Sequence, residues 1–474
     1  MDTASHLTLI VAPRAVKLSE IPSYPTPFYG GDCGDGCNVK TVFEQEILKV
    51  LTEIKNKPNW NKKIKNSEIR EKWIKELLSH FEEQVINYAI DEALYYSDIF
   101  TGSLVPGAVD CTYIVDDCVP EELLNDICIT IRSTEDVSST GVPKWDSITG
   151  KGKTKFVIPT KENNKYLSKK YQWLPTEFDI NANGFVDILS YIYNLHPEIH
   201  EKMYETLERI FEKFVPLFNN VLIDSCKQNN KNDKTRIFVS VKEQKFRRIE
   251  DRYYQTYKYQ RLIIRPKYYK FDPENVPKNN ATTVDLKGSR LQVIVKLANI
   301  ILTPEKPKYK GMYNEEVVAT GIYYYDQENI TDSYLAFRQC FCQPTHSKDD
   351  YRGVEEIYDI RINEPKSQLL CEIKTKKNML ICFPNIYQHQ VQDFELKDKT
   401  NPGYRKILCF FLINPNKRIY STAHIPPQQL SWFEIELMKN KNKLSELPGL
   451  ITEKISKTLD WPISLEETKK IEKN

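Results

Sequence analysis

The sequence predicts an α+β protein with a mainly helical N-terminal region, an antiparallel β core of sandwich or barrel type, and a C-terminal helix. Three observations predict it. Apolar residues recur at three-to-four spacing through most of the first 230 residues, as helices packed on a core require. After about Lys234 they condense into short β-branched and aromatic runs bounded by Pro, Asn and Gly. No helical stretch separates those runs, which excludes alternating βαβ units and leaves an antiparallel sandwich or barrel.

Residues 1–40 read as an irregular arm, with a glycine-rich turn from Tyr29 to Cys37. The mainly helical region is 41–230. Val42, Ile47, Leu48 and Leu51 open it, and a long helix is expected from Ser67, placed to cap, to about Tyr96. A third helix covers Glu121 to Ile131 after Pro120, and a fourth runs from Pro197 to about Phe218. The β core, 231–430, holds five runs: Ile237–Val241, Leu291–Leu297, Val317–Tyr325, Met379–Phe383 and Ile407–Ile413. Residues 431–474 return to helix and end in a charged tail.

The balance of 67 Lys+Arg against 65 Asp+Glu leaves a net charge of +2, too little for nucleic-acid binding through bulk charge. A hydrophobic fraction of 40% is enough for a packed core, so the chain is not disordered as a whole. The 11 cysteines are scattered and odd in number, which with no secretory leader points to a reduced, intracellular protein, cytoplasmic or nuclear. No apolar run approaches the ~20 residues that span a bilayer.

Several motifs have a bland reading beside a sharper one. Asp179 to Asp187 places oxygen side chains like a calcium loop, yet position twelve is Ser190 instead of Glu, and Asn183-Gly184 signals a type I′ hairpin. His196 and His200 are four apart, but Pro197 makes His196 a surface or capping residue at the helix start. Cys33 and Cys37 lack a second pair at zinc-finger spacing, and Asp32 and Asp35 would repel a phosphate from the glycines around them. Lys245 to Lys270 interleaves cations with tyrosines, a pattern that stacks on nucleotides or lines a half-buried sheet edge.

His389 follows the run ending at Phe383, and Arg405 stands just before the next one. A neutral imidazole suits a metal, and a guanidinium fork grips a carboxylate, so on adjacent strands the two would line one pocket. The surrounding residues carry a resemblance. Gln172 to Thr176, Tyr191 to Pro197, Leu291 to Tyr309, Asn314 to Arg338, Arg352 to Glu356, Phe383 to His389 and Pro402 to Leu408 resemble a fungal family of unknown function, DUF4246, over about Tyr24 to Gln429. That family is similar to the Fe(II)/2-oxoglutarate oxygenases. The resemblance implies a double-stranded β-helix (jelly-roll, cupin-like) core, and an iron held by a His-x-Asp/Glu pair and a distal His. By position His389 matches the distal, metal-binding His, and Arg405 the arginine that holds the far carboxylate of 2-oxoglutarate.

The chain departs from the family pattern at one place. After Pro307-Lys308-Tyr309 the family carries Gly-Gly-x-Trp-His-x-Glu-Gly, whereas this chain continues Lys310-Gly311-Met312-Tyr313-Asn314. The two missing ligands leave His389 alone; Glu305, Glu315 and Glu316 are substitutes at the wrong spacing, and Lys308 and Lys310 would repel a cation. No catalytic residue is therefore assigned. The expectation is a catalytically degenerate oxygenase-like binding or scaffold protein, with a small dicarboxylate held by Arg405 and either Lys308 or Lys310, or with a protein partner. The alternatives are an active 2-oxoglutarate-dependent dioxygenase, through unusual ligands or a segment lost from the gene model, and a protein- or nucleic-acid-binding module using the 245–270 face.

Overall fold

The fold is built on a large antiparallel sheet whose two faces carry different cores. In the computed structural model, residues 23–27, 37–117, 119–132, 173–226, 236–237, 245–251, 256–262, 269–275, 284–301, 315–342, 344, 351–361, 364–427 and 429–439 are described. Helix α1 (Val42–Lys55) starts at a capping box, in which the Thr41 hydroxyl accepts from the Glu44 N–H and the Glu44 carboxylate accepts from the Thr41 N–H. After a single turn, α2 (Trp60–Lys63), come α3 (Ser67–Leu77) and α4 (Glu83–Ile99). The single helix expected over 67–96 is thus two. The Ser79 hydroxyl donates to the Glu76 carbonyl and closes α3, a stop that apolar spacing does not reveal. Ser67 is the first helical residue, not the cap; Asn66 accepts from the N–H groups of Glu68 and Ile69.

Strands β1 (Leu104–Pro106) and β2 (Tyr113–Asp116), helix α5 (Glu121–Arg132), strands β3 (Thr176–Ile180) and β4 (Val186–Ile188) and helix α6 (Glu201–Ser225) follow. Helix α6 begins at Glu201, four residues later than expected, and continues through Pro216 to Ser225. Its buried stripe of Leu207, Phe211, Phe214, Phe218 and Leu222 packs on the sheet and outweighs the hydrogen bond that Pro216 removes. Then come β5 (Lys245–Asp251), β6 (Thr256–Leu262), β7 (Ser289–Ile301), β8 (Val317–Glu328), β9 (Ser333–Cys340), α7 (Tyr351–Tyr358), β10 (Ser367–Thr375), β11 (Met379–Pro384), β12 (Tyr387–Val391), β13 (Tyr404–Ile413) and α8 (Leu430–Lys439). Ile237 sits in a bend, and the rest of the run expected over 237–241 lies outside the described residues, as do 1–22, Cys33 and the charged tail.

The large sheet has the order β1-β2-β11-β8-β13-β7-β3-β4, and a smaller one the order β10-β9-β12. From β8 to β13 the chain passes between them repeatedly: β8, β11 and β13 lie in the large sheet, and β9, β10 and β12 in the small one. This is a double-stranded β-helix, a jelly roll. β1 to β4 precede residue 230, so the expected boundary cuts through one sheet. Those strands are three to five residues long, too short for alternation to betray them.

On the outer face, α6 stacks Phe211 and Phe214 against Phe410 of β13, with ring centroids 5.0 and 5.3 Å apart. Gly321 of β8 makes this possible, because a Cβ there would sit 2.7 Å from the Phe214 ring. Gly321→Val is therefore expected to lower stability by about 1–3 kcal/mol through overpacking, read as a lower urea midpoint at unchanged m. On the inner face, Ile322, Ile381 and Phe383 of the large sheet meet Leu335, Phe337 and Tyr387 of the small one, and Ile47, Leu51, Val85 and Ala89 of α1 and α4 extend that same core.

Between the helices and β1–β2 lies a buried ion network that no spacing in the sequence announces. The Arg236 guanidinium donates through Nε and Nη2 to both Glu92 carboxylate oxygens at 2.8 Å, and Nη2 also reaches Asp110 at 2.7 Å. Lys40 Nζ holds the other Asp110 oxygen at 2.6 Å. Beside it, Lys55 donates to the Gly107 carbonyl at 2.8 Å and lies over the Tyr96 ring. Burial lowers the Lys55 pKa to about 8. The unfolded chain then binds the proton more strongly between about pH 8 and the ordinary lysine value of ~10.4, so this residue makes stability rise with pH across that window. The stability–pH slope of Lys55→Met is expected to lie below that of the parent there, by urea melts at a series of pH values.

Candidate functional site

Two sequence-predicted site residues reach the inner face from opposite sheets. β12 alternates, so Tyr387, His389 and Val391 share one side, and Tyr387 is buried in the inner core. His389 pairs with Phe337 across β9 and lies 4.9 Å, ring to ring, from Phe383. Its side chain keeps solvent contact at the rim of the barrel. Surrounding protein and then the ammonium of Lys296 lower its pKa, and the direction suffices to make the imidazole neutral at pH 7. Arg405 was expected on a strand adjacent to that of His389. The two strands follow one another in the chain but belong to different sheets, because the jelly roll sends successive strands to opposite walls.

Arg405 lies at the start of β13 and is 1% exposed. One Nη donates to the Ser333 hydroxyl and the other to Thr375 Oγ1 at 2.6 Å, at the start of β9 and the end of β10. The guanidinium stacks on the Tyr324 ring at 4.2 Å, with the Phe394 ring 5.7 Å away. Nε has no partner, and among the described residues no carboxylate pairs with this cation. Burial lowers its pKa, yet an arginine stays charged at pH 7. The buried hydroxyls of Tyr324 and Thr320, on the inner face of β8, are likewise without hydrogen-bond partners. Burial pushes the Tyr324 phenol up to about 12.

Sequence reasoning missed Lys296. It stands across from Cys409 in the β7–β13 ladder, is 8% exposed, and lies with Nζ 5.3 Å from the Trp173 ring. The signal was there: a lone cation inside the apolar run Leu291–Leu297. Arg405 and Cys409 are four residues apart on one strand, so the two cations enter the interior at levels about 13 Å apart.

The described residues do not by themselves fit an iron site. His389 is one neutral donor with an ammonium nearby, and no group of three His, Cys, Asp or Glu converges among the described residues. Of the substitutes weighed, Glu315 accepts from the Trp173 N–H at 3.3 Å, and Glu316 is paired with Lys417 at 3.0 Å. Glu305, Lys308 and Lys310 lie outside the described residues, as does all of 302–314, where the resemblance puts the other two ligands. The far carboxylate of 2-oxoglutarate, by contrast, fits the chemistry of Arg405.

The other motifs resolve into local structure. Asp179–Asp187 is the β3–β4 hairpin, with Phe178 opposite Ile188. Its turn is not type I′: only Gly184 is left-handed, at φ +93°, while the Asn181 side chain accepts from the N–H groups of Asn183 and Phe185. That carboxamide oxygen is thereby spent. His196 does cap, accepting at Nδ1 from the Glu198 and Ile199 N–H groups. It is buried, not on the surface, because Trp432 of α8 lies 4.9 Å away. Lys245–Leu262 is a two-stranded ribbon, β5 paired with β6. No described helix is long and apolar enough to cross a membrane.

A solved structure described as a selenomethionine-labelled Fe(II)/(alpha)ketoglutarate-dependent dioxygenase, TqaL, is similar over 65% of this chain and 84% of its own, at 11% identity and a TM-score of 0.29. No curated protein sequence matches. The family model described as protein of unknown function DUF4246 matches residues 83–436, and that of the DUF4246 N-terminal domain matches residues 4–76. With three quarters of its length inside the first of these, the chain belongs to the DUF4246 family.

Proposed function

We propose that this jelly roll is a carboxylate-binding protein, an oxygenase-like pocket that keeps the anion-holding half and works without iron turnover. The observation that carries the reading is Arg405: a guanidinium 1% exposed, with Nε unpartnered and no carboxylate beside it among the described residues. A buried cation without a counter-charge costs several kcal/mol, roughly, and a ligand carboxylate supplies both the charge and the missing acceptor. The favoured ligand is a small dicarboxylate such as 2-oxoglutarate, its far carboxylate on Arg405 and its other end toward the side of the interior that carries neutral His389 and Lys296. Lys308 and Lys310, the partners expected for Arg405 from the sequence, lie outside the described residues, and Lys296 is the described cation tested in that role.

Isothermal titration in the presence of EDTA tests this. A dicarboxylate is expected to bind, Arg405→Met to weaken both it and a matched monocarboxylate, and Lys296→Met to weaken the dicarboxylate alone by about tenfold. Unchanged affinity in Arg405→Met would overturn the reading. A second reading, an active Fe(II)/2-oxoglutarate dioxygenase, is favoured by the neutral imidazole of His389 at the rim of the barrel, against the Phe383 ring. Stoichiometric Mn(II) binding that His389→Ala abolishes would move the assignment there.

A further inference from the structure

The register of the β5–β6 ribbon sorts a mixed sequence into two unlike faces. Among the described residues the ribbon pairs with no other strand. Phe246 pairs with Arg261, Arg248 with Tyr259 and Glu250 with Tyr257. Alternating with these are the pairs Lys245–Leu262, Arg247–Gln260, Ile249–Lys258 and Asp251–Thr256. Cross-strand partners share a face and successive pairs alternate. By register, all three aromatic positions of the two strands therefore belong to one face, together with the positions of Arg248 and Arg261. The other face carries Lys245, Arg247 and Lys258 and no aromatic. Five cations stand against two carboxylates in 14 residues, in a chain whose net charge is only +2.

We propose that the Phe246–Tyr257–Tyr259 face of this ribbon binds single-stranded nucleic acid, independently of the carboxylate pocket. Tyr257 and Tyr259 are i and i+2 on one strand, with Cα atoms about 7 Å apart, a spacing and residue type that suit stacking on successive unstacked bases, and the register puts the positions of Arg248 and Arg261 on the same face, where cations suit the phosphates. The charge concentrated here supplies locally what the chain lacks in bulk. An acidic protein partner would need the cations and not the segregation of aromatics. A membrane surface would need an apolar face, whereas this one carries Glu250 and two phenols, and the aliphatic Ile249 and Leu262 lie on the other.

The test is fluorescence anisotropy of a fluorescein-labelled oligouridylate titrated with the full chain at low salt. Tyr257→Ala and Tyr259→Ala are each expected to weaken binding by about tenfold, and the corresponding Phe variants, which keep the ring, to retain it. Removing Arg248 and Arg261 together should flatten the slope of log affinity against log salt by about 1.4, at roughly 0.7 for each phosphate contact. Absence of binding at low salt overturns the proposal. So does equal loss from Arg247→Ala/Lys258→Ala on the opposite face with no effect of the tyrosines, since that pattern, shared with heparin, is charge alone. Preference for anionic vesicles over the oligonucleotide overturns it in favour of a membrane surface.

Discussion

Arg236→Met is expected to lower the unfolding free energy by about 3–5 kcal/mol. The guanidinium is 2% exposed and satisfies three carboxylate oxygens on two elements, Glu92 of α4 and Asp110 between β1 and β2. Methionine fills a similar volume, so the loss measures two buried carboxylates left with Lys40 on Asp110 and with Lys55 nearby, and with no guanidinium on Glu92. Urea melts at constant m check it, and a loss below about 1 kcal/mol would sink it. Adding Glu92→Gln to the variant should recover part of the loss, because the neutral amide costs less to bury unpaired. Acid behaviour gives an independent reading. Burial by itself would raise the Asp110 pKa, but Arg236 and then Lys40 hold it well below the usual carboxylate range. A depressed carboxylate contributes stability that is present above its unfolded value, near 3.9, and lost as pH falls toward its folded value. Below about pH 4, the stability of Arg236→Met should therefore fall less steeply than that of the parent.

Arg405→Met is expected to do the opposite to stability and more to function. This guanidinium is equally buried but is held by two hydroxyls and two aromatic rings, with no carboxylate among the described residues. Replacing a buried, uncompensated cation by an apolar side chain of similar volume is neutral or stabilising, here by up to about 2 kcal/mol without ligand. The Thr375 hydroxyl keeps a partner, since it also donates to the Ser333 carbonyl at 2.9 Å. Affinity for a dicarboxylate should fall by about a hundredfold or more, the worth of a charge-assisted fork on a carboxylate. Calorimetry and melting of the same sample separate the two. A variant that loses stability as Arg236→Met does would mean that Arg405 is a structural plug, and the carboxylate-binding reading would go with it.

How much of this was legible depends on the range over which each signal acts. The helix periodicity around Val42 to Leu51 and the runs Leu291–Leu297, Val317–Tyr325, Met379–Phe383 and Ile407–Ile413 state their own structure, because burying one face sets the spacing of apolar residues along a single element. His389 and Arg405 were legible as residue types in a familiar neighbourhood, and Lys296 was visible as an oddity but not as part of a site. The break at Ser79, the course of α6 through Pro216 and the burial of His196 under Trp432 depend on what packs against each segment.

By itself, then, the sequence determined the kinds of element, their approximate limits and an antiparallel sandwich or barrel core, and through a family resemblance it implied the jelly roll and the two side chains most worth locating. Only the tertiary structure decided which cations are paired and which are not. Arg236 and Arg405 are alike in the sequence, each a lone arginine beside an apolar run. The fold brings Glu92, 144 residues away, onto one of them, and brings two hydroxyls, a phenol ring and no described carboxylate onto the other. The worth of a buried charge lies in its neighbours within a few ångström, and those neighbours are set by how sheets and helices close on one another, across distances that no local pattern spans.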